Sequence, residues 1–290
     1  MADMTKTTLD IWLDEQWSHL VSTTYRAKVM LIGLVDHRWE PELGVGKGDL
    51  VRIPTFAGAN VATKRSTFGT GAATTFSAET ESSVQLAVDV YAYDAFRMPH
   101  EMSAQITPAL ITRRMQNGAE SLSRQIDTDI AADNTNGFDA FSTVVGTDNV
   151  DVTEDDITTC AIDLDNVNAP DNDRFLAVSP ATYASLYRIE AFRNQLTAST
   201  MGSLASGKGY GYVGHINCFD VYKTNFLESG TSGKKNAAFQ REAIAVCVQL
   251  KPTTIKDVNI EDGAFDQYYT EVAYGLKEVK DNFGIELDAK

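Results

Sequence analysis

Two glycine-rich runs lie next to each other in the chain, and each approaches a phosphate-binding signature. Gly202-Ser-Leu-Ala-Ser-Gly207-Lys208-Gly209 falls one residue short of G-x-x-x-x-G-K-[ST]; the missing residue is the one whose hydroxyl would hold magnesium. Gly209-Tyr-Gly211-Tyr-Val-Gly214 satisfies G-x-G-x-x-G, but Ile216 to Tyr222 after it reads as a strand. A dinucleotide fingerprint must follow a strand and open a helix, so that backbone amides face the pyrophosphate. Residues 202–214 are therefore read as a loop that contacts a partner, with a cytosolic enzyme binding a phosphorylated ligand there kept as an alternative.

The remaining reactive residue types are scattered. His19, His37, His100 and His215 show neither H-E-x-x-H nor any paired spacing. Cys160, Cys218 and Cys247 are far apart, odd in number and without C-x-x-C, which reads as reduced core residues rather than a disulfide framework or zinc site. Nine acidic residues and no Lys or Arg fall between Asp148 and Asp173, but the run lacks the Gly turn and terminal Glu of a calcium loop, so it reads as a solvated helix face. No G-x-S-x-G and no local Cys-His arrangement supplies a nucleophile. The reading assigns no catalytic residue, no cofactor and no metal.

Composition narrows the classes further. The 290 residues carry 40 Asp+Glu against 25 Lys+Arg, a formal net charge of −15, so the basic surface of a nucleic-acid binder is missing. Hydrophobic residues make up 43%, enough for a sizeable core. No apolar stretch reads as a signal peptide or membrane span, because Asp14, Glu15, His19, Arg26 and Lys28 interrupt residues 9–35.

The elements follow from periodicity. Leu9, Trp12, Leu13, Trp17, Leu20, Val21, Leu31 and Leu34 recur at helical spacing, predicting a long amphipathic helix over 9–34 that must lie against something else. Asp49 to Pro54 and Val84 to Val90 alternate as strands and predict an extended hairpin with a polar end, 62–75. An isolated two-stranded ribbon is at best marginally stable, so it needs a surface; an ordinary sheet edge is the competing reading. Thr107-Pro108 opens a helix to about Asp133, with Ile111, Met115, Ala119, Leu122, Ile126 and Ile130 on one stripe. At about 1.5 Å per residue it would be roughly 39 Å long. Further expectations are a capped helix over 153–167, a strand over 174–178, a helix from Ser179-Pro180 to about Phe192, and strands at 216–222, 243–250, 253–258 and 269–287, the last broken near Asp281-Asn282.

This order, with the segments GDLVRIPTF (48–56), VQLAVDVYAYDAF (84–96), ITPALITRRMQNGAESLSRQIDTDIA (106–131), RFLAVSPATYASLYR (174–188), GHINCFDVYKTNFL (214–227), AFQREAIAVCVQ (238–249) and YGLKEVKDNFGIEL (274–287), resembles the major capsid proteins of tailed bacteriophages, the HK97-like fold. The resemblance implies an α+β fold with an N-arm (1–42), an extended loop (43–95), a peripheral domain with a long spine helix (96–136 and 243–290) and an axial domain (137–242). It implies self-assembly, as pentamers and hexamers, into an icosahedral shell around a double-stranded DNA genome. Lys64, Arg65 and Phe68 at the hairpin end become the candidates for intersubunit contact; Lys64 could also be bonded covalently to an Asn of a neighbour.

Further implications concern partners and place. The family often begins with a long cleavable segment, whereas this chain enters its first helix within ten residues, so a separate scaffolding protein is expected or the sequence is the processed form, with Met1 favouring the first; a portal and an optional decoration protein are the other expected partners. Packaged DNA would be near but not gripped, since a subunit of net charge −15 repels it over the screening length of about 8 Å. The expected location is the virion, after synthesis in the host bacterial cytoplasm, with no membrane. An encapsulin-type compartment shares the fold and is the first alternative; a tail or neck ring protein is another.

Overall fold

The computed structural model describes residues 29–43, 48–57, 80–100, 108–194, 211–259 and 264–290. Most of the expected N-terminal helix, the hairpin end with Lys64, Arg65 and Phe68, and residues 202–210 lie outside the described residues.

Three sheets organise the rest. Strands β1 (Leu50–Ala57) and β2 (Thr80–Ala87) form an antiparallel ribbon in unbroken register from Leu50↔Ala87 to Ala57↔Thr80. Strand β3 (Val90–Pro99) leads to helix α1 (Pro108–Ala132). The chain continues through β4 (Val144–Gly146), α2 (Glu154–Asn166), β5 (Arg174–Val178), α3 (Pro180–Arg188), β6 (Tyr212–Ile216), β7 (Phe219–Lys223), β8 (Lys234–Gln240), β9 (Ile244–Asn259), β10 (Phe265–Glu278) and β11 (Gly284–Ala289). One sheet has the order β3-β10-β9, all antiparallel; the other has the order β4-β11-β8-β5-β7-β6 and is mixed.

Local chemistry explains the best-defined elements. Thr153 accepts from the Asp156 amide while Asp156 accepts from the Thr153 amide, a reciprocal capping box that starts α2 where the spacing predicts it. Ser179 caps α3 through the Thr182 amide, with Pro180 in the first turn, where its missing N–H costs nothing. All five residues of β5 are buried, as a central strand covered on both faces requires. The stripe of α1 is buried at Leu122, Ile126 and Ile130 and half-buried at Ile111, Met115 and Ala119.

Several boundaries differ from expectation. The segment read as one strand over 84–90 breaks at Val88-Asp89, where the Val88 amide bonds the Asp49 carbonyl and the chain passes from the ribbon into the three-stranded sheet. The segment 216–222 is a tight hairpin: Asn217, at φ 52°, reverses the chain between β6 and β7. Strands expected at 243–250 and 253–258 are one 16-residue strand; the β10 ladder carries it past Pro252 with register shifts on either side of Ala273. Strand β8, rich in Lys, Asn and Ala, was not legible from alternation. The N-terminal helix does not run to Leu34: Met30 has φ −151° and Leu31–Gly33 is a single 3-10 turn. The α3 helix breaks at Ile189, and helix resumes over 190–194, which holds Phe192.

Apolar packing follows the sheets. One cluster joins α1 (Leu122, Ile126, Ile130) to β9 and β10 (Ile244, Val246, Val272, Tyr274, Leu276) and continues through Phe138, Phe175 and Phe239. A second fills the space between α2, α3 and the six-stranded sheet, with Ile157, Leu164, Leu186, Val221 and Leu287. A third, smaller cluster joins the ribbon to the body through Leu43, Ile53, Leu86, Ala245, Cys247 and Val279.

Candidate functional site

Among the described residues, the ribbon is anchored at its base. Alternation puts Val51 and Ile53 on one face and Leu50 and Arg52 on the other; on β2, Leu86 faces inward with Ile53. Ile53 and Leu86 are buried, whereas Arg52, Pro54, Ser82, Ser83 and Gln85 are exposed, so the body grips one face of the ribbon near its root. The ribbon leaves that root across β10, where the Ala87 carbonyl oxygen comes within 2.0 Å of where a Cβ on Gly275 would stand. Only a residue without a side chain allows this crossing.

A second junction holds the chain where it enters the body. Asp127 on α1 is fully buried and accepts three backbone hydrogen bonds, from Met30 (2.6 Å), Leu31 (3.1 Å) and Ile32 (2.9 Å). Burial pushes its pKa above the usual carboxylate value, and the three amides act against that push. The amides are the unsatisfied donors of the Leu31–Gly33 turn, so the carboxylate caps it from another element. Asp36 extends the junction by bonding backbone to backbone with Ile244 and Val246.

Between this junction and the six-stranded sheet lies a cavity of about 570 Å³, lined in part by Asp36, His37, Arg38, Asp173, Arg241 and Glu242. Its charges are paired within the chain: Arg38 with Asp36 at 2.7 Å and Glu242 at 3.2 Å, and Arg241 with Asp173 at 3.2 Å. The arrangement clamps segments together, with the Arg241 Nε left without a hydrogen-bond partner among the described residues.

Among the described residues, the chemistry-bearing side chains of the sequence do not converge. His37 donates to the Ile32 carbonyl and pairs with Glu40, His100 pairs with Asp266, and His215 pairs with Asp220. Among the described residues no group of three His, Cys, Asp or Glu could hold a metal ion. Cys160, Cys218 and Cys247 are free thiols; burial raises the Cys160 pKa to about 12 and the Cys247 pKa to about 11, so both stay protonated. Of the glycine-rich loop only 211–214 is described. There the second motif runs straight into β6 and opens no helix, so the phosphate-cradling frame is not formed by these residues. No described helix is long and apolar enough to cross a membrane. His19, Lys64, Arg65, Phe68 and Lys208 lie outside the described residues.

Two functional features escaped the sequence reading. Asp127 follows Ile126 of the apolar stripe in the last two turns of α1, an unfavourable place for an acid, and that misfit was the available signal. Gly275 interrupts a strand of large side chains, which signals a close backbone approach.

Comparison with known proteins places this arrangement. A protein-family model described as "Phage capsid protein" matches residues 101–284. No curated protein sequence matches the chain. Among solved structures, one from Mycobacterium phage Che8 is similar over 95% of this chain and 97% of its own, at 21% identity and a TM-score of 0.72. The capsid structure of the cyanophage P-SCSP1u aligns over 98% and 94%, at 14% identity and a TM-score of 0.68. The asymmetric unit of the bacteriophage PhiM1 mature capsid aligns over 96% and 92%, at 11% identity and a TM-score of 0.67. At these identities the structural matches speak for the fold.

Proposed function

The chain belongs to the phage capsid protein family, a structural and non-enzymatic one, and from that premise we propose how it builds the shell. It is a capsid shell protein of a phage virion, with the mixed α+β, HK97-like fold. Self-association is therefore its activity. The finer reading is an icosahedral shell of pentamers and hexamers around double-stranded DNA. It is built with a separate scaffolding protein and a portal, and a decoration protein is an optional addition.

The observation that carries this reading is the one-sided anchoring of the ribbon. Ile53 and Leu86 hold its root, and β1 and β2 remain paired as far as Ala57 and Thr80, four residues beyond Ile53 on β1. A ribbon projecting from its own core gains stability by lying on a neighbour. Lys64, Arg65 and Phe68 are proposed as contacts of that kind.

In the proposed division, residues 1–42 form the N-arm and 43–95 the extended loop, while 96–136 with 243–290 form the peripheral domain and 137–242 the axial domain. Strand β3 starts at Val90 and β11 pairs with β8 and β4, so both outer segments exchange strands with their neighbours.

Negative-stain electron microscopy with light scattering on the purified protein tests the proposal. Closed shells, alone or with a co-expressed scaffold, are the expected result. Tubes or open rings would reassign it to a tail or neck role, and a persistent monomer with scaffold present would remove the shell reading.

A further inference from the structure

The chain passes between the body of α1 with the three-stranded sheet and the six-stranded sheet three times, and the three passages lie together. The first runs from α1 through the turn Phe138–Ala140 to β4. The second is the turn Arg241–Ala243 between β8 and β9, and the third is the turn Asp281–Phe283 between β10 and β11. The Val279 and Lys280 amides donate to the Ala243 carbonyl at 2.8 and 3.2 Å, which ties the third passage to the second. The third is tied to the first by Ser142, whose amide donates to Asp281 at 2.8 Å and whose hydroxyl donates to the other carboxylate oxygen. A Cβ on Gly284 would meet the Phe141 ring, so these two passages are also packed face to face.

Glu278 stands behind Asp281. Its Oε1 is buried and no donor among the described residues reaches it; the hydrogen-bond partner of the side chain is the Asp281 carboxyl. An ionised carboxylate only accepts, so two carboxyls bond to each other by sharing a proton. Glu278 keeps it: burial, and then the bond to Asp281, push its pKa to about 7. Asp281 moves the other way, because the Ser142 hydroxyl and amide outweigh its own burial. The cations around the bundle have other partners. Lys277, which offsets part of the rise at Glu278, bonds the Asn136 Oδ1 at 2.7 Å. Lys280 bonds Glu242 at 2.7 Å and lies over the Phe283 ring. On the first passage Asp139 pairs with Lys235, which also reaches Glu286 at 3.1 Å.

We propose that the bundle of passages is a hinge between the two sheets, and that the proton shared by Glu278 and Asp281 is its latch. The device belongs to the single subunit and stands apart from the shell reading. A hinge needs a few residues at element ends where motion concentrates, and three short passages side by side supply them. With the proton in place, Glu278 backs Asp281 and Asp281 holds Ser142, so the first and third passages move as one. Once it leaves, two adjacent carboxylates repel, the pair separates, and the sheets change their angle about the passages. The sign follows from the raised pKa. The latch is complete below the ordinary glutamate value of about 4.3 and is lost as pH rises through about 7. One proton moving between those two values raises the open fraction about tenfold from about pH 6 to about pH 8.

Hydrogen–deuterium exchange of the unassembled full chain, with intrinsic rates divided out, reads the latch. Wild-type peptides over 138–146 and 279–285 are expected to lose about tenfold in protection from about pH 6 to about pH 8, while peptides of β5 keep theirs. Glu278→Gln, whose carboxamide donates to Asp281 at every pH, is expected to remove most of that loss. No loss in wild type, the same loss in the variant, or an equal loss in β5 overturns the proposal. Spin labels at Ile162→Cys on α2 and Ile255→Cys on β9, both exposed, read the hinge without that variant, in a chain that also carries Cys218→Ser. Their distance distribution is expected to broaden over the same pH range, and one that stays unchanged overturns the proposal.

Discussion

At the scale of single residues, this protein uses its acids as internal fasteners. Glu286 on β11 is buried, and burial raises its pKa to about 7, although Lys235 at 3.1 Å opposes the shift. Lys235 also pairs with Asp139, so one amine ties the short turn at Phe138–Ala140 to two strands. Glu278 is raised to about 7 in the same way, by burial and then by its hydrogen bond to Asp281. Asp281 moves down: burial would raise it, but the Ser142 hydroxyl and amide outweigh that effect. A carboxyl raised in the fold keeps a proton that the unfolded chain releases near its ordinary value of about 4.3. The stability from that proton is complete below the unfolded pKa and is lost as pH rises through about 7. Glu286→Gln should therefore flatten the profile: between about pH 5 and about pH 8 its urea midpoint falls less than that of wild type. Parallel slopes for the two proteins would mean that Glu286 does not hold its proton. Asp94, lowered by its hydrogen bond from Arg114 at 2.5 Å, works in the opposite sense and loosens only on acidification.

At the scale of elements, backbone crossings decide where each piece can lie. Gly118 on α1 lets the helix settle on β3, since a Cβ there would stand 2.4 Å from the Asp94 carboxylate that Arg114 holds. Gly275 is the stricter case, because its neighbour is the Ala87 backbone carbonyl and cannot swing away. Gly275→Ala should cost about 1–3 kcal/mol, the range for forcing a methyl group into a packed contact. Gly33→Ala meets nothing within 4 Å and serves as the neutral comparison. Chemical denaturation of the two variants checks the difference, and equal midpoints would show that the ribbon can shift its crossing at no cost.

At the scale of the whole molecule, cores and projections do different work. Among the described side chains of the ribbon, Ile53 and Leu86 at its root are the buried ones and join the body's core. Deletion of residues 62–75 should leave the unfolding midpoint of the subunit within about 0.5 kcal/mol of wild type and abolish shell formation. Thermal unfolding paired with light scattering reads both; loss of cooperative unfolding would show that the hairpin end belongs to the core. The acidic balance fits the same division, since a container that surrounds DNA gains nothing from gripping it.

The sequence by itself determined what depends on neighbours a few residues apart. The spacing of Leu122, Ile126 and Ile130, the Thr153 and Ser179 caps, the alternation in β1 and the short apolar run of β5 follow from local sequence, and their order carried the resemblance to a capsid subunit. Only the tertiary structure decided the rest. Whether 84–99 was one strand or two depended on which sheet would accept Val90, and whether Pro252 ended β9 depended on the β10 ladder beside it. The partners of Asp127 are 95 to 97 residues away, and Tyr93 and Tyr269 meet only because β3 and β10 pair. Such contacts are set by chain segments far apart in sequence, where local periodicity holds no information about which surfaces meet.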